Sequence, residues 1–274
     1  MSQIFDALQR SGIEITGLDP TSEPSSGFDA TGVDRVPCFR VDARPERRLV
    51  ALTDERSVGA ERIRLLGARL RHLQQQRPIK TLLMTSSIKD EGKSFLSANL
   101  AFSLAKTRQR VLLLDGDCHQ GSLAKLLGTN GSPGLTDWWR SNDAILSYLR
   151  QVNALPLWLL APGEPSTQVV EMLQSTRFSE MLNHAKSWFD WVIVDSPPFA
   201  PLADSAIWAS LTDATLLLVR LGKTPKELLG KVLDSLDQQK LLGVVLNECS
   251  DPHSSYYAQY YKGIQMAQSN GSRE

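Results

Sequence analysis

From Ile79 onward the chain alternates between short unbroken apolar runs and longer stretches with helical spacing. The runs are Thr81–Met84, Val111–Leu114, Trp158–Leu160, Trp191–Val194, Thr215–Val219 and Gly243–Leu246. They are non-alternating and rich in Val, Leu and Ile, as strands covered on both faces are. Between them Ser94–Lys106, Thr167–Leu173, Arg177–Lys186 and Pro225–Gln239 read as helices. The last has Pro225 in its first turn and Thr224 as its expected N-cap. This alternation predicts an α/β fold, a mostly parallel sheet with helices on both faces.

The remaining chain divides by pattern. Residues 1–11 carry a short amphipathic repeat with Ile4, Phe5 and Leu8 on one helical face. Residues 12–56, rich in Ser, Thr, Pro, Gly and Asp at their start and without periodicity, are expected to be a flexible linker. A helix is predicted over Val58–Gln76, with Ile63, Leu66, Leu70 and Leu73 at helical spacing. From Arg35 to Arg77 there are eleven arginines against five acids, either a basic face toward a partner or membrane surface or a solvated helix face. Residues 57–250 form the expected globular domain, and 251–274 a polar tail.

Composition narrows the function classes. The chain has 274 residues, 42% hydrophobic and 22% charged, enough for a sizeable core. Thirty basic and thirty acidic side chains cancel, which argues against a nucleic-acid binder. The three cysteines (Cys38, Cys118, Cys249) form no CxxC pair and read as reduced cytosolic thiols. No stretch approaches the ~18 apolar residues of a membrane span. The first ten residues lack the basic and apolar regions of a signal peptide, so a cytoplasmic chain is expected.

Three segments carry candidate chemistry. Ser86-Ser87-Ile88-Lys89-Asp90-Glu91-Gly92-Lys93-Ser94 lies between the first buried strand and a helix. A phosphate-binding loop in that place needs converging backbone amides, a lysine for the phosphate oxygens and a hydroxyl for magnesium. Gly92, Lys93 and Ser94 complete the GxxxxGK[ST] pattern, with Ser87 where its first glycine stands. Asp115 and Asp117 follow the strand Val111–Leu114, where open α/β sheets bind ligands. Asp195 ends the run Trp191–Val194 and fits a carboxylate that reaches Mg²⁺. The order and strand context of the three suit one nucleotide site.

Together these segments, with LLLVRLGKTP, GVVLNE and the opening Met-Ser-x-Ile-Phe-Asp-Ala-Leu, resemble the bacterial tyrosine kinases of capsule and exopolysaccharide export. The resemblance runs from about Glu61 to Tyr261. It implies a P-loop fold related to the MinD/ParA ATPases, with ATP and Mg²⁺ at the site. It implies an autokinase that phosphorylates a C-terminal tyrosine cluster and thereby regulates polysaccharide polymerisation. Four of the five tyrosines, Tyr256, Tyr257, Tyr260 and Tyr261, form that cluster here.

By the same resemblance Ser87 to Ser94 cradle the nucleotide and Lys93 contacts the β/γ phosphates. Ser94, Asp115 and Asp195 serve the metal, Asp117 is the base for the tyrosine hydroxyl, and Asn247 contacts adenine. Asp204 matches a common aspartate without an assigned role. The implied partners are a transmembrane chain-length regulator as activator and further copies of the chain through its tail. The chain would then sit peripherally at the inner membrane.

Several positions depart from the family pattern. Lys89-Asp90 replaces Pro-Gly, and loss of that glycine argues against a positive φ at the position. His119 stands where the family has arginine, and Gly67 replaces the last arginine of the Glu-x-x-Arg-x-x-Arg motif that begins at Glu61. Two other readings share the same loop: a MinD/ParA-like positioning ATPase, and a regulatory pseudokinase that binds nucleotide as a scaffold. His72, His119, His184 and His253 show no metal-ligand spacing. The tryptophans and Cys118 are expected in packing roles.

Overall fold

The computed structural model describes residues 30–42, 44–199 and 203–248. The expected helix at 1–11 and the tail 251–274 lie outside the described residues. The elements are β1 (Cys38–Phe39), α1 (Val50–Thr53), α2 (Val58–Gln76), β2 (Thr81–Ser86), α3 (Lys93–Lys106), β3 (Val111–Asp115), α4 (Ser122–Leu127) and α5 (Leu135–Arg140). They continue as β4 (Leu149–Val152), β5 (Leu157–Leu160), α6 (Val169–Gln174), α7 (Thr176–Trp188), β6 (Trp191–Asp195), α8 (Ala203–Leu211), β7 (Ala214–Arg220), α9 (Lys226–Ser235) and β8 (Leu241–Asn247).

The eight strands form one sheet in the order β1-β4-β5-β3-β6-β2-β7-β8. Every neighbouring pair is parallel except β4 with β5. Alternate residues of the buried runs feed two cores. Leu82, Leu113, Ile193 and Leu216 meet α1 to α4 on one face. Leu83, Leu112, Val192 and Val194 meet α5 to α8 on the other, and Leu217 and Val219 meet α9. Each fully buried Leu, Val or Ile contributes ~1.5–3 kcal/mol, so the central strands tolerate no polar side chain except at their ends. α3 shows the same logic, since nearly all of it is buried.

All six apolar runs are strands, extended by one to a few residues, but the run Gly243–Leu246 is not covered on both faces: β8 is an edge strand, and its Val244 and Leu246 are exposed. Two features escape the pattern. The described part of the expected linker is packed from Gly32 onward: β1 pairs in parallel with β4, and Val33 and Leu49 are buried. Trp158 Nε1 donates to the Val33 carbonyl at 2.9 Å, and the Ala51 amide donates to Asn99 Oδ1 at 2.9 Å. Single apolar residues that plug gaps leave no period to read. The second correction concerns α9. Its N-cap is Pro225 rather than Thr224, and it ends at Ser235 rather than Gln239. The Thr224 hydroxyl is spent on Glu91 instead.

Parallel pairing brings the carboxyl ends of β2, β3 and β6 together. Asp115 lies opposite Asp195 in the β3/β6 register, and Met84 lies opposite Asp195 in β2/β6. The candidate residues therefore converge because the strands run the same way.

Candidate active site

The loop Ser87–Gly92 joins β2 to α3. Gly92 has φ +94°, and a Cβ there would lie 2.2 Å from Asn247 Nδ2, so only glycine fits. Asp90 also holds a left-handed backbone, φ 63°. The positive φ is thus retained without glycine, because the short polar side chain of aspartate is among the few that tolerate this region. Glu91 is fully buried and braces the loop, accepting from the Ile88 amide at 3.0 Å and the Arg220 amide at 3.2 Å. Asn247 Nδ2 donates to the Glu91 carbonyl at 2.8 Å, and Asn247 Oδ1 accepts from the Glu248 amide at 3.0 Å.

Lys93 folds back so that Nζ lies 3.0 Å from Ser86 Oγ. Among the described residues no side chain caps the N-terminus of α3, which leaves its first amides and the positive end of its dipole turned to an anion. In front of it is a cavity of about 220 Å³, lined by Lys89, Asp90, Gly92, Lys93, Ser94, Phe95, Asp117, Gln120, Ser122 and Pro198. Among the described residues the Ser87 hydroxyl is buried without a partner. An unpaired hydroxyl in a lysine-bearing loop fits a phosphate ligand, since a buried polar group left unpaired is costly.

The carboxylates divide into two layers. Asp117 lines the cavity, and its Oδ1 accepts the amides of His119 at 3.2 Å and Gln120 at 3.1 Å. Asp115 and Asp195 lie fully buried and are not among the cavity-lining residues. Asp115 accepts the Asp117 amide at 3.2 Å and the Leu123 amide at 3.1 Å. Asp195 Oδ1 accepts from Ser97 Oγ at 3.1 Å. Burial pushes Asp195 up to about 6 against the pull of the Ser94 hydroxyl and the Lys93 charge. Asp115 stands well above the ordinary carboxylate range, through burial first and the Asp195 charge second.

Among the described residues no group of three or more His, Cys, Asp and Glu is arranged to hold a metal. Ser94 and Asp195 nevertheless offer the hard oxygen donors of a magnesium site that takes its other ligands from water and phosphate.

Sequence reasoning missed several supports. The His119 ring lies 2.8 Å from Asp204 Oδ2, tying the loop after β3 to the start of α8. Trp208, from the same helix, donates Nε1 to the Gly116 carbonyl at 3.3 Å. The Glu91–Thr224–Arg220 cluster is likewise tertiary. Only Ser97 had a local signal, one helical turn after Ser94. Burial, with Asp115, Asp117 and Asp204 nearby, pushes the Cys118 thiol up, which leaves it a packing residue. The four tail tyrosines lie outside the described residues.

Comparison with known proteins is consistent with this geometry. The model of the CobQ/CobB/MinD/ParA nucleotide binding domain matches residues 82–269. Tyrosine-protein kinase CpsD of Streptococcus agalactiae is 30% identical over 188 residues, 67% of this chain and 82% of the relative. The chain belongs to the bacterial tyrosine kinases. YwqD, a tyrosine-protein kinase of Bacillus subtilis, is 29% identical over 217 residues, 78% of this chain and 92% of that protein. The kinase domain of the Escherichia coli tyrosine kinase ETK superposes with a TM-score of 0.68 at 24% identity, covering 73% of this chain and 79% of that one. That likeness bears on the fold. Among the described residues of this bacterial tyrosine kinase, no helix is long and apolar enough to cross a membrane.

Proposed function

We propose that this tyrosine kinase is an ATP-dependent autokinase that phosphorylates its own C-terminal tyrosine cluster and so regulates polysaccharide polymerisation and export. The observation that carries the reading is the cavity where Lys93, the uncapped amides of α3 and Asp117 meet.

In the proposed mechanism the β/γ phosphates of ATP enter the loop Ser87–Ser94. Lys93 swings from Ser86 Oγ to the phosphate oxygens, and the α3 amides with the Ser87 hydroxyl take the remainder. Ser94 and Asp195 would hold Mg²⁺, with Asp115 supporting them from behind. Bound there, the metal neutralises charge on the phosphate oxygens. Asp117, on the cavity wall, orients the phenol of Tyr256, Tyr257, Tyr260 or Tyr261 and accepts its proton as the oxygen attacks the γ-phosphorus in line. The β–γ bridging oxygen leaves with ADP. Asn247, which lines a neighbouring cavity together with Phe95 and Leu246, is assigned a place beside the adenine.

The activating partner in this reading is a transmembrane chain-length regulator, through which the cytoplasmic chain sits at the inner membrane. Negative charge added to the tail would then weaken assembly between copies.

The test is the intact mass and tail-peptide phosphorylation of wild type and Lys93→Met, each co-expressed with the cytosolic segment of the cognate regulator. Phosphate on Tyr256–Tyr261 in wild type alone supports the reading. Phosphate persisting in Lys93→Met, or absent from a wild type that still binds nucleotide, overturns it.

A further inference from the structure

Aspartate at position 90 creates a local problem. Aspartate tolerates a left-handed backbone better than most residues, yet relative to glycine it lowers the equilibrium population of that conformation by roughly tenfold. The loop holds it nonetheless, and the surrounding contacts show how. Arg220, the last residue of β7, donates Nη1 to the Asp90 carbonyl at 3.1 Å. The other side of the same guanidinium is held by Glu248, with Nε 2.6 Å from Oε2 and Nη2 closing the fork. The Arg220 main-chain amide reaches Glu91 Oε1 at 3.2 Å. One residue thus grips two successive loop positions, through its side chain and its backbone.

We infer that Arg220 is a positioning residue for the phosphate loop. It fixes the Asp90 peptide so that the following amides point into the nucleotide cavity. Glu248, just beyond the end of β8 and next to the tail, sets the direction of its guanidinium. A planar fork with several fixed donors suits this task; a lysine ammonium is a single point of charge and cannot keep both contacts in one geometry. Glycine at position 90 would adopt the same φ without penalty, so the clamp matters because the residue is aspartate. The inference rests on the nucleotide site described above, and its failure is separable from failure of that site.

The experiment is a double-mutant cycle on the full chain, read as affinity for a fluorescent N-methylanthraniloyl-ADP in the presence of Mg²⁺. Arg220→Ala is expected to weaken binding about tenfold, matching the population penalty at Asp90. In the Asp90→Gly background the same change should weaken it by less than about twofold, because glycine needs no clamp. Glu248→Gln should fall between wild type and Arg220→Ala, and Arg220→Lys should restore only part of the loss. Arg220→Lys also keeps the cycle usable if the alanine variant does not fold. An equal loss in both backgrounds, or none in either, overturns the inference while leaving the nucleotide site standing. No binding by wild type itself would overturn both.

Discussion

Glu91 offers the sharpest test of how the loop is held. Its carboxylate is fully buried, accepts two backbone amides and takes the Thr224 hydroxyl. Hydrogen bonds to a charged acceptor contribute ~1.5–3 kcal/mol each, and an amide left unpaired in the interior costs ~1–3 kcal/mol. Glu91→Ala orphans the Ile88 amide and leaves the Arg220 amide with the Thr224 hydroxyl, 3.1 Å away, as its remaining acceptor. The gain from no longer burying a charge offsets part of this, so a net loss of about 1–3 kcal/mol is expected. Glu91→Gln preserves shape, yet its amide nitrogen must face one donor with another, for an expected loss of about 1–2 kcal/mol. Urea unfolding followed by tryptophan fluorescence measures both. With a slope of roughly 2–3 kcal/mol per molar, the alanine midpoint should fall by about 1 M. Nucleotide affinity should fall in both variants, because the amides of the loop lose their common anchor. A glutamine variant as stable as wild type, with unchanged affinity, would refute the reasoning that this carboxylate organises the loop.

Two further outcomes follow from the packing. At Gly116, between Asp115 and Asp117, an added Cβ would lie 3.0 Å from Trp208 ring atoms; Gly116→Ala should lower stability by ~1–3 kcal/mol in thermal melts, whereas a variant as stable as wild type would refute the packing argument. Asp213 accepts the amides of Lys80 at 2.9 Å and Thr81 at 2.8 Å and Lys186 Nζ at 2.8 Å. Burial pushes its carboxyl up, but these partners outweigh burial and hold it below the usual value. Its stabilisation is therefore complete above the ordinary aspartate range and lost as the pH falls through the lower value of the folded protein. Asp213→Asn should cost ~1–2 kcal/mol near neutral pH, and the gap in urea midpoint from wild type should narrow at pH 3; a gap independent of pH would count against this account.

Particular elements show why some features were legible and others were not. A strand covered on both faces must be apolar at every position, so β2, β3, β5, β6 and β7 announce themselves as runs; β8 shows a run too, although it is an edge strand with Val244 and Leu246 exposed. β4 has partly exposed Arg150 and Gln151 at its centre, and β1 has two residues, so neither shows a run. Thr224 looks like a helix cap because caps are local; that Glu91 competes for its hydroxyl depends on a residue 133 positions away. Asp90 could be judged only against the general preference for glycine, and the guanidinium that holds its carbonyl comes from the end of another strand.

The sequence by itself determined the layered α/β architecture and the placing of Lys93, Asp115, Asp117 and Asp195 at the carboxyl ends of three strands. Both follow from short-range rules, the periods of burial and the location of loops after parallel strands. Only the tertiary structure decided which of these residues line the cavity, and which side chains fix their geometry. Glu91, Arg220, His119–Asp204 and Trp208 act through contacts between segments far apart in the chain. Hydrogen bonding and packing at that range depend on strand order and register, which no local pattern encodes.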